Sequence, residues 1–366
     1  MYVLRVLTTH PVRLLLTLSG IGLCIVLILF ILGVYNGVAT GSVDYVRQTP
    51  ADLWVLQANT SNIMRGTSIL PEAYCDEIRR HESIASATAV LLFFATIELD
   101  GCNATVLLTG YVPGELGGPP RIAEGRAITR DGEIVLDQAF AAKHGIGLGR
   151  RLKLRDDSLT VVGLSSGTNA FVTQYAFVTL AYEQSIIELP GLASFFIVQV
   201  RGGSTSESVA RDIALKYPGR LSVHQHAQFL DNNIREVESG ILPLFFAIAL
   251  IGGVVLAIIL SLILSVNILE RRHDFAIMKL IGSPSSYLRR VVLTQSLFVC
   301  SASECLGLAA LYPLLLLIES ITPEVAALVT ASHILAVTVA VFVISIASGL
   351  LASRRVRRIS TSEVFS

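Results

Sequence analysis

Four runs almost free of ionisable side chains constrain this chain more than anything else in it. Residues 14–35 carry no charged group, and after Arg13 the next charge is Asp44. Residues 239–269 are again uncharged, 291–318 hold one acid, Glu304, and 325–353 hold one titratable group, His333. A helix of about 20 apolar residues crosses a hydrocarbon layer of about 30 Å. In lipid every backbone polar group must be satisfied internally, so such runs become helices. With 52% hydrophobic and 15% charged residues, the chain lacks much of the polar coat of a soluble domain, which is about 25% charged. Disorder and a free-standing cytosolic enzyme are both excluded.

The pattern predicts a membrane protein with four transmembrane α-helices and a large extracytoplasmic α+β domain between helices one and two. The expected order is a cytoplasmic segment 1–13, helix 14–37, an external domain with stalk 38–239, helix 240–269, a cytoplasmic loop 270–290, helix 291–318, an external hairpin 319–328, helix 329–353 and a basic cytoplasmic tail 354–366. Orientation follows from Lys and Arg in the short flanks. Eleven basic residues lie beside the termini and in the loop 270–290, against none in the hairpin. Both termini are therefore expected in the cytoplasm. The formal charge of zero is a cancellation between +8 on the cytoplasmic flanks, −5 in the external domain, −2 in the hairpin and −1 from Glu304. The first run is longer than the apolar core of a cleaved signal peptide and no A-x-A site follows, which fits an uncleaved anchor.

Within 38–239, β-rich runs at 52–57, 91–99, 104–111, 133–136, 160–164, 175–180 and 195–200 alternate with helical stretches near 71–81, 138–144 and 206–217. This reads as an α+β domain in two lobes. Residues 225–238 are polar and helix-compatible and run into the second membrane helix as a stalk. Cys75 and Cys102 are the two external cysteines, either a disulfide or two buried thiols.

Several catalytic signatures are weak. Gly163, Ser165 and Gly167 match G-x-S-x-G, but a nucleophile elbow must open a helix and the next residues read as loop, then strand. Gly145, Gly147 and Gly149 precede Arg150 and a strand, unlike a phosphate loop. His224 and His226 are expected on one strand face with no further ligand nearby, and no metal is expected. A Walker A motif needs Gly before its Lys, yet Lys143, Lys153, Lys216 and Lys279 follow Ala, Leu, Leu and Met. Neither a cofactor of its own nor a nucleic-acid partner is expected.

Three features carry information. In the loop, Asp274, Phe275, Ala276, Ile277, Met278, Lys279, Leu280 and Ile281 form a mostly apolar helix stopped by Gly282 and Pro284, too short to cross a bilayer. It must dock on lipid or protein. Glu304 falls deep in the third helix, where a charged carboxylate costs about 2.5–3.5 kcal/mol unless protonated or paired. Its partner is either another helix or a subunit, or the nearby Ser301 or Ser303. Gly33, Gly37 and Gly41, spaced at four, allow close helix packing.

Together with Glu270-Arg271-Arg272-His273 ahead of it, this loop resembles that of the MacB/FtsX/LolC permeases of ABC transporters. The matches are Glu270, Arg271, Ala276, Lys279 and Gly282, while Asp274 and Phe275 depart from the usual Glu-Ile. Residues 13–22 are similar to the family's start, and Gly125, Arg126, 133–136, Ala142, Gly145, 148–149 and 161–163 to its periplasmic domain. Residues 38–57, with Ala51-Asp52-Leu53-Trp54-Val55, resemble the DevC branch, associated with envelope glycolipid export. The resemblance implies the permease of an ABC exporter for a lipid, lipoprotein or amphipathic small molecule, not itself catalytic. A separate ABC ATPase subunit would carry ATP and Mg and dock on the loop around residues 275–279. It further implies a permease homodimer or pseudo-dimer, surrounding membrane lipid, and possible partners in a periplasmic membrane-fusion adaptor and an outer-membrane channel. The alternative is an FtsX-like regulator of an extracytoplasmic cell-wall hydrolase that transports nothing.

Overall fold

The structure is a computed structural model of the full chain; it describes residues 11–63, 68–99, 102–170, 173–270, 273, 277–278, 280–325 and 327–357. Among them, four helices are long and apolar enough to cross a membrane: α1 (Pro11–Gln48), α6 (His226–Glu270), α7 (Ser285–Ile321) and α8 (Ala331–Arg357). The chain divides into two compact units, one of Met1–Asn36, Pro243–Ile318 and Ala327–Ser366, the other of Gly37–Leu242 and Glu319–Ala326.

The first unit is a helical bundle held by one apolar cluster. Ile21, Ile25 and Leu29 of α1 repeat every four residues, as do Leu256, Leu260, Leu264 and Ile268 of α6, and they pack with Val292 and Val299 of α7 and Val337 and Val341 of α8. Rows at this spacing form the ridges by which helices interlock. Leu250, Ile258 and Leu262 of α6 and Leu335, Val339 and Val343 of α8 are exposed instead. Around a membrane bundle that surface meets lipid, as apolar as the core, so helices associate through close packing and hydrogen bonds. Small residues permit the approach: a Cβ on Gly22 would lie 3.2 Å from the Ser303 carbonyl oxygen, and one on Gly307 3.1 Å from that of Gly22.

The second unit is built on a 10-stranded sheet in the order β12-β1-β11-β3-β4-β9-β6-β8-β5, with β7 bonded to β3 and β8. Its strands are β1 (Leu53–Gln57), β3 (Ile84–Leu99), β4 (Cys102–Tyr111), β5 (Ile122–Gly125), β6 (Glu133–Asp137), β7 (Arg151–Leu154), β8 (Asp157–Ser165), β9 (Tyr175–Thr179), β11 (Phe195–Val200) and β12 (Leu221–Gln225), while β2 (Leu70–Pro71) and β10 (Leu192–Ala193) pair separately. The 16-residue β3 makes the two lobes: Ile84–Val90 pairs with β11, and Leu91–Leu99 with β4. One lobe packs α2 (Ala73–Arg79) and α5 (Ser206–Lys216) on Leu53, Val55, Ala89 and Phe196. The other packs α3 (Gln138–His144) on Ile134, Leu136, Val161 and Ala176. On the remaining short helix, α4 (Leu180–Ile186), Glu183 is fully buried against Gly110 of β4, which has no Cβ to block it. Cys75 is a buried free thiol, and burial pushes its pKa up to about 12.

The helix that holds the first apolar run continues to Gln48, and the boundary between the two units falls within it at Asn36/Gly37. Two expectations are corrected here. His224 and His226 do not share a strand face: His224 lies on β12 and bonds the Thr60 carbonyl oxygen, whereas His226 opens α6 and accepts from Trp54 Nε1. Leu180, read as strand, starts α4, where the Thr179 hydroxyl accepts from the Tyr182 amide.

Candidate functional site

The loop between α6 and α7 comes first. Asp274, Phe275, Ala276 and Lys279 lie outside the described residues. Around them, the Ile281 amide donates to the Ile277 carbonyl at 3.0 Å, the Ser283 amide donates to that of Met278 at 3.0 Å, and Gly282 takes φ +90°. A left-handed glycine just past the last turn is how helices commonly end, so the sequence stops this helix at the glycine that was expected to stop it. Met278 packs against the bundle core, while Ile277, Leu280 and Ile281 are 37%, 50% and 80% exposed. Three exposed apolar side chains thus lie beside one methionine packed on the bundle.

A second place is a polar seam between α7 and α8. The Ser296 hydroxyl meets that of Ser345 at 2.8 Å, and the Thr338 hydroxyl donates to the buried carboxylate of Glu304. The partner of Glu304 is thus the facing helix, and neither Ser301 nor Ser303.

The third place is aromatic. Tyr45, on the outer part of α1, stacks on Tyr175 at 4.9 Å, lies edge-on to Trp54 at 6.5 Å, and donates its hydroxyl to the Gly117 carbonyl at 2.8 Å. Trp54 stacks at 4.8 Å on Phe229, in the first turns of α6, and touches Phe195 at 5.4 Å. All are buried. Aromatic pairs bury large area at low side-chain entropy, so where the chain enters the domain and where it leaves are clamped onto one sheet. The sequence singled out Trp54 only within a longer match and gave no sign of Tyr45 and Phe229; single aromatics spread over more than 180 residues leave no periodic signal.

The glycine series separates on inspection. A Cβ on Gly33 would lie 2.6 Å from Val329 Cγ2, one on Gly41 2.8 Å from the Asn169 carbonyl oxygen, and Gly37 is buried. Ser165, the candidate nucleophile, is fully buried at the end of β8 and shares its hydroxyl with Thr168 at 2.7 Å and the Leu136 carbonyl at 3.2 Å. It opens no helix and has no approach for a substrate. Gly145 is the left-handed cap of α3, its amide bonded to the Ala142 carbonyl, and Gly149 a turn residue at φ +80°. Both are structural.

A bundle of four helices long and apolar enough to cross a membrane, with a two-lobed domain inserted after the first of them, defines a multi-pass membrane protein. Residues 14–215 match the MacB-like periplasmic core domain and residues 245–361 the FtsX-like permease C-terminal domain, so the chain belongs to the MacB/FtsX-like ABC transporter permease family. An uncharacterized ABC transporter permease of Mycobacterium tuberculosis is 23% identical over 365 residues, covering 96% of this chain and 95% of the relative. One of Mycobacterium bovis is 22% identical over 316 residues, covering 82% and 84%. Among solved structures, the periplasmic region of MacB from Actinobacillus actinomycetemcomitans aligns with 50% of this chain and 92% of that one at 12% identity and a TM-score of 0.40. The extracellular domain of the noncanonic ABC-type transporter YknZ from Gram-positive bacteria covers 48% and 100% at 12% identity and a TM-score of 0.38. As a permease of this family the chain is a multi-pass membrane protein with an extracytoplasmic domain, and it works with a separate ATPase.

Proposed function

We propose that this chain is the non-catalytic permease subunit of an ABC exporter for a lipid, lipoprotein or amphipathic small molecule. A separate ATPase, carrying ATP and Mg, docks on the loop helix around residues 275–279, and its closure moves the membrane helices. That movement reaches the external domain, which handles the substrate outside or in the outer leaflet. The observation that carries this reading is the loop helix: Ile277, Leu280 and Ile281 are open while Met278 is anchored in the bundle. An apolar surface of this kind is stable only when covered. The bundle is compatible with the second half, since Ser296 bonds Ser345 and Thr338 bonds Glu304 across the α7–α8 seam. A permease homodimer or pseudo-dimer, and a periplasmic adaptor with an outer-membrane channel, complete the proposed assembly.

The test is co-purification. Phe275→Asp and Ile281→Asp place a carboxylate in the docking surface and should abolish recovery of the ATPase with the tagged permease while leaving membrane insertion intact. Normal recovery and normal ATPase stimulation in both variants would contradict the docking surface. Stimulation of the recovered complex by candidate lipids or an adaptor is expected; stimulation by a cell-wall hydrolase in their place would favour the regulator.

A further inference from the structure

The segment Glu319–Ala326 joins two membrane helices in sequence, yet it belongs to the same compact unit as Gly37–Leu242. Glu324 is held to that unit at two of its groups. Lys143 Nζ, in the last turn of α3, lies 2.5 Å from Glu324 Oε2, and the Asn169 side-chain amide donates to the Glu324 carbonyl at 2.9 Å.

The groups that grip Glu324 are braced on one buried network. Asp137 caps α3, the helix that carries Lys143, by accepting from the Ala139 amide at 2.8 Å, and its other oxygen accepts from the Thr168 hydroxyl at 2.7 Å. Thr168 adjoins Asn169 and is itself joined to Ser165. Asn169 Oδ1 accepts from Gln174 Nε2 at 3.1 Å, which sets the direction of its amide. A partly exposed ion pair alone is a weak tie; a second bond to the backbone of the same residue, from a braced side chain, fixes position as well as charge. The same loop also meets the outer part of α1 at Gly41, where the Asn169 carbonyl leaves no room for a Cβ.

We propose that Glu324 latches the segment between α7 and α8 onto a preformed seat of Lys143 and Asn169, giving the external domain a mechanical connection to the membrane helices beyond α1 and α6. The relay part of this proposal rests on the permease reading above, whereas the latch itself does not. Glu324 and Lys143 are positioning residues in this scheme.

Hydrogen exchange on the full-length protein, purified with its ATPase, tests both parts. Glu324→Lys and Lys143→Glu should each raise amide exchange in peptides covering residues 319–325 about tenfold, and the double swap should restore most of the protection. Unchanged exchange in both single variants would overturn the latch. In the wild type, trapping the complex with ATP and vanadate should alter exchange in residues 165–170 together with 319–325; in Glu324→Lys the response of 165–170 should disappear. A response of 165–170 that persists undiminished in that variant would overturn the relay. Failure of any ATPase to co-purify with the wild type would count against the permease reading alone, because the charge-swap result on the latch is read without nucleotide.

Discussion

Glu133 and Glu183 are buried acids of the external domain whose pKa values are shifted in opposite directions. Glu133 is 4% exposed and accepts from both Arg126 guanidinium nitrogens at 2.8 and 2.6 Å, from Arg130 Nε at 3.2 Å and from the Thr129 amide at 3.0 Å. The Arg126 bonds hold its pKa well below the usual carboxylate range. Its folded value being depressed, the stability it contributes is fully present above an unfolded value of 4.5 and is lost as pH falls toward the folded value. Glu133→Gln should cost about 1.5–3 kcal/mol at neutral pH, the scale of hydrogen bonds to charged groups, and should flatten the acid limb of thermal stability. Glu183 is the reverse case: burial raises its pKa well above the ordinary value, which favours the neutral acid. Stability linked to it is fully present below 4.5 and is lost as pH rises through the folded value. Glu183→Gln should therefore be favoured increasingly over the wild type as pH rises from 5 to 8, in thermal unfolding of the detergent-solubilised full chain. Parallel pH profiles for wild type and Glu183→Gln would refute the assignment.

At the scale of elements, packing between membrane helices turns on backbone approach. A leucine at Gly307 must displace the Gly22 carbonyl or the helix that carries it, since even a Cβ there lies 3.1 Å from that oxygen. Overpacking of this kind costs about 1–3 kcal/mol, so Gly307→Leu should lower the melting temperature of the solubilised protein. Gly20→Ala, with nothing within 4 Å of the new Cβ, should leave it unchanged or raise it. Equal melting temperatures for Gly307→Leu and the wild type would show that α1 and α7 are not in contact through these glycines. The sequence did not distinguish Gly22 and Gly307 from the glycines around them, because no spacing rule relates residues on different helices. It did place the strands with strong β-branched runs: 195–200 coincides with β11, and 104–111 falls within β4. The two-residue β2 and β10 were beyond reach, since their pairing depends on a partner more than a hundred residues away. For the candidate site, the stop at Gly282, which takes φ +90°, was legible because a glycine and then Pro284 follow the apolar run. The aromatic clamp and the Glu324 seat were not, because each is assembled from distant segments by the sheet.

For the molecule as a whole, charge separates by compartment more sharply than the neutral total suggests, and this makes orientation testable. Eleven of the 28 basic residues flank the four helices on one side, five of them in the loop 270–290 and four in the tail, while the segment between α7 and α8 has none. Basic residues within about 15–20 positions of a membrane helix are retained in the cytoplasm, whereas a long domain is translocated largely regardless of its charge. We therefore expect both termini inside and the α+β domain outside, which also puts the open residues Ile277, Leu280 and Ile281 where an ATPase can reach them. An alkaline phosphatase fused after Gly203, in an exposed turn of the external domain, should be active, and a fluorescent protein fused after Ser366 should fold and fluoresce. The reciprocal fusions should be silent, because each reporter matures on one side only. Phosphatase activity at Ser366 would place the tail outside. The loop helix, two membrane crossings away from it, would then lie outside as well, and with it would fall the proposal that an ATPase docks there.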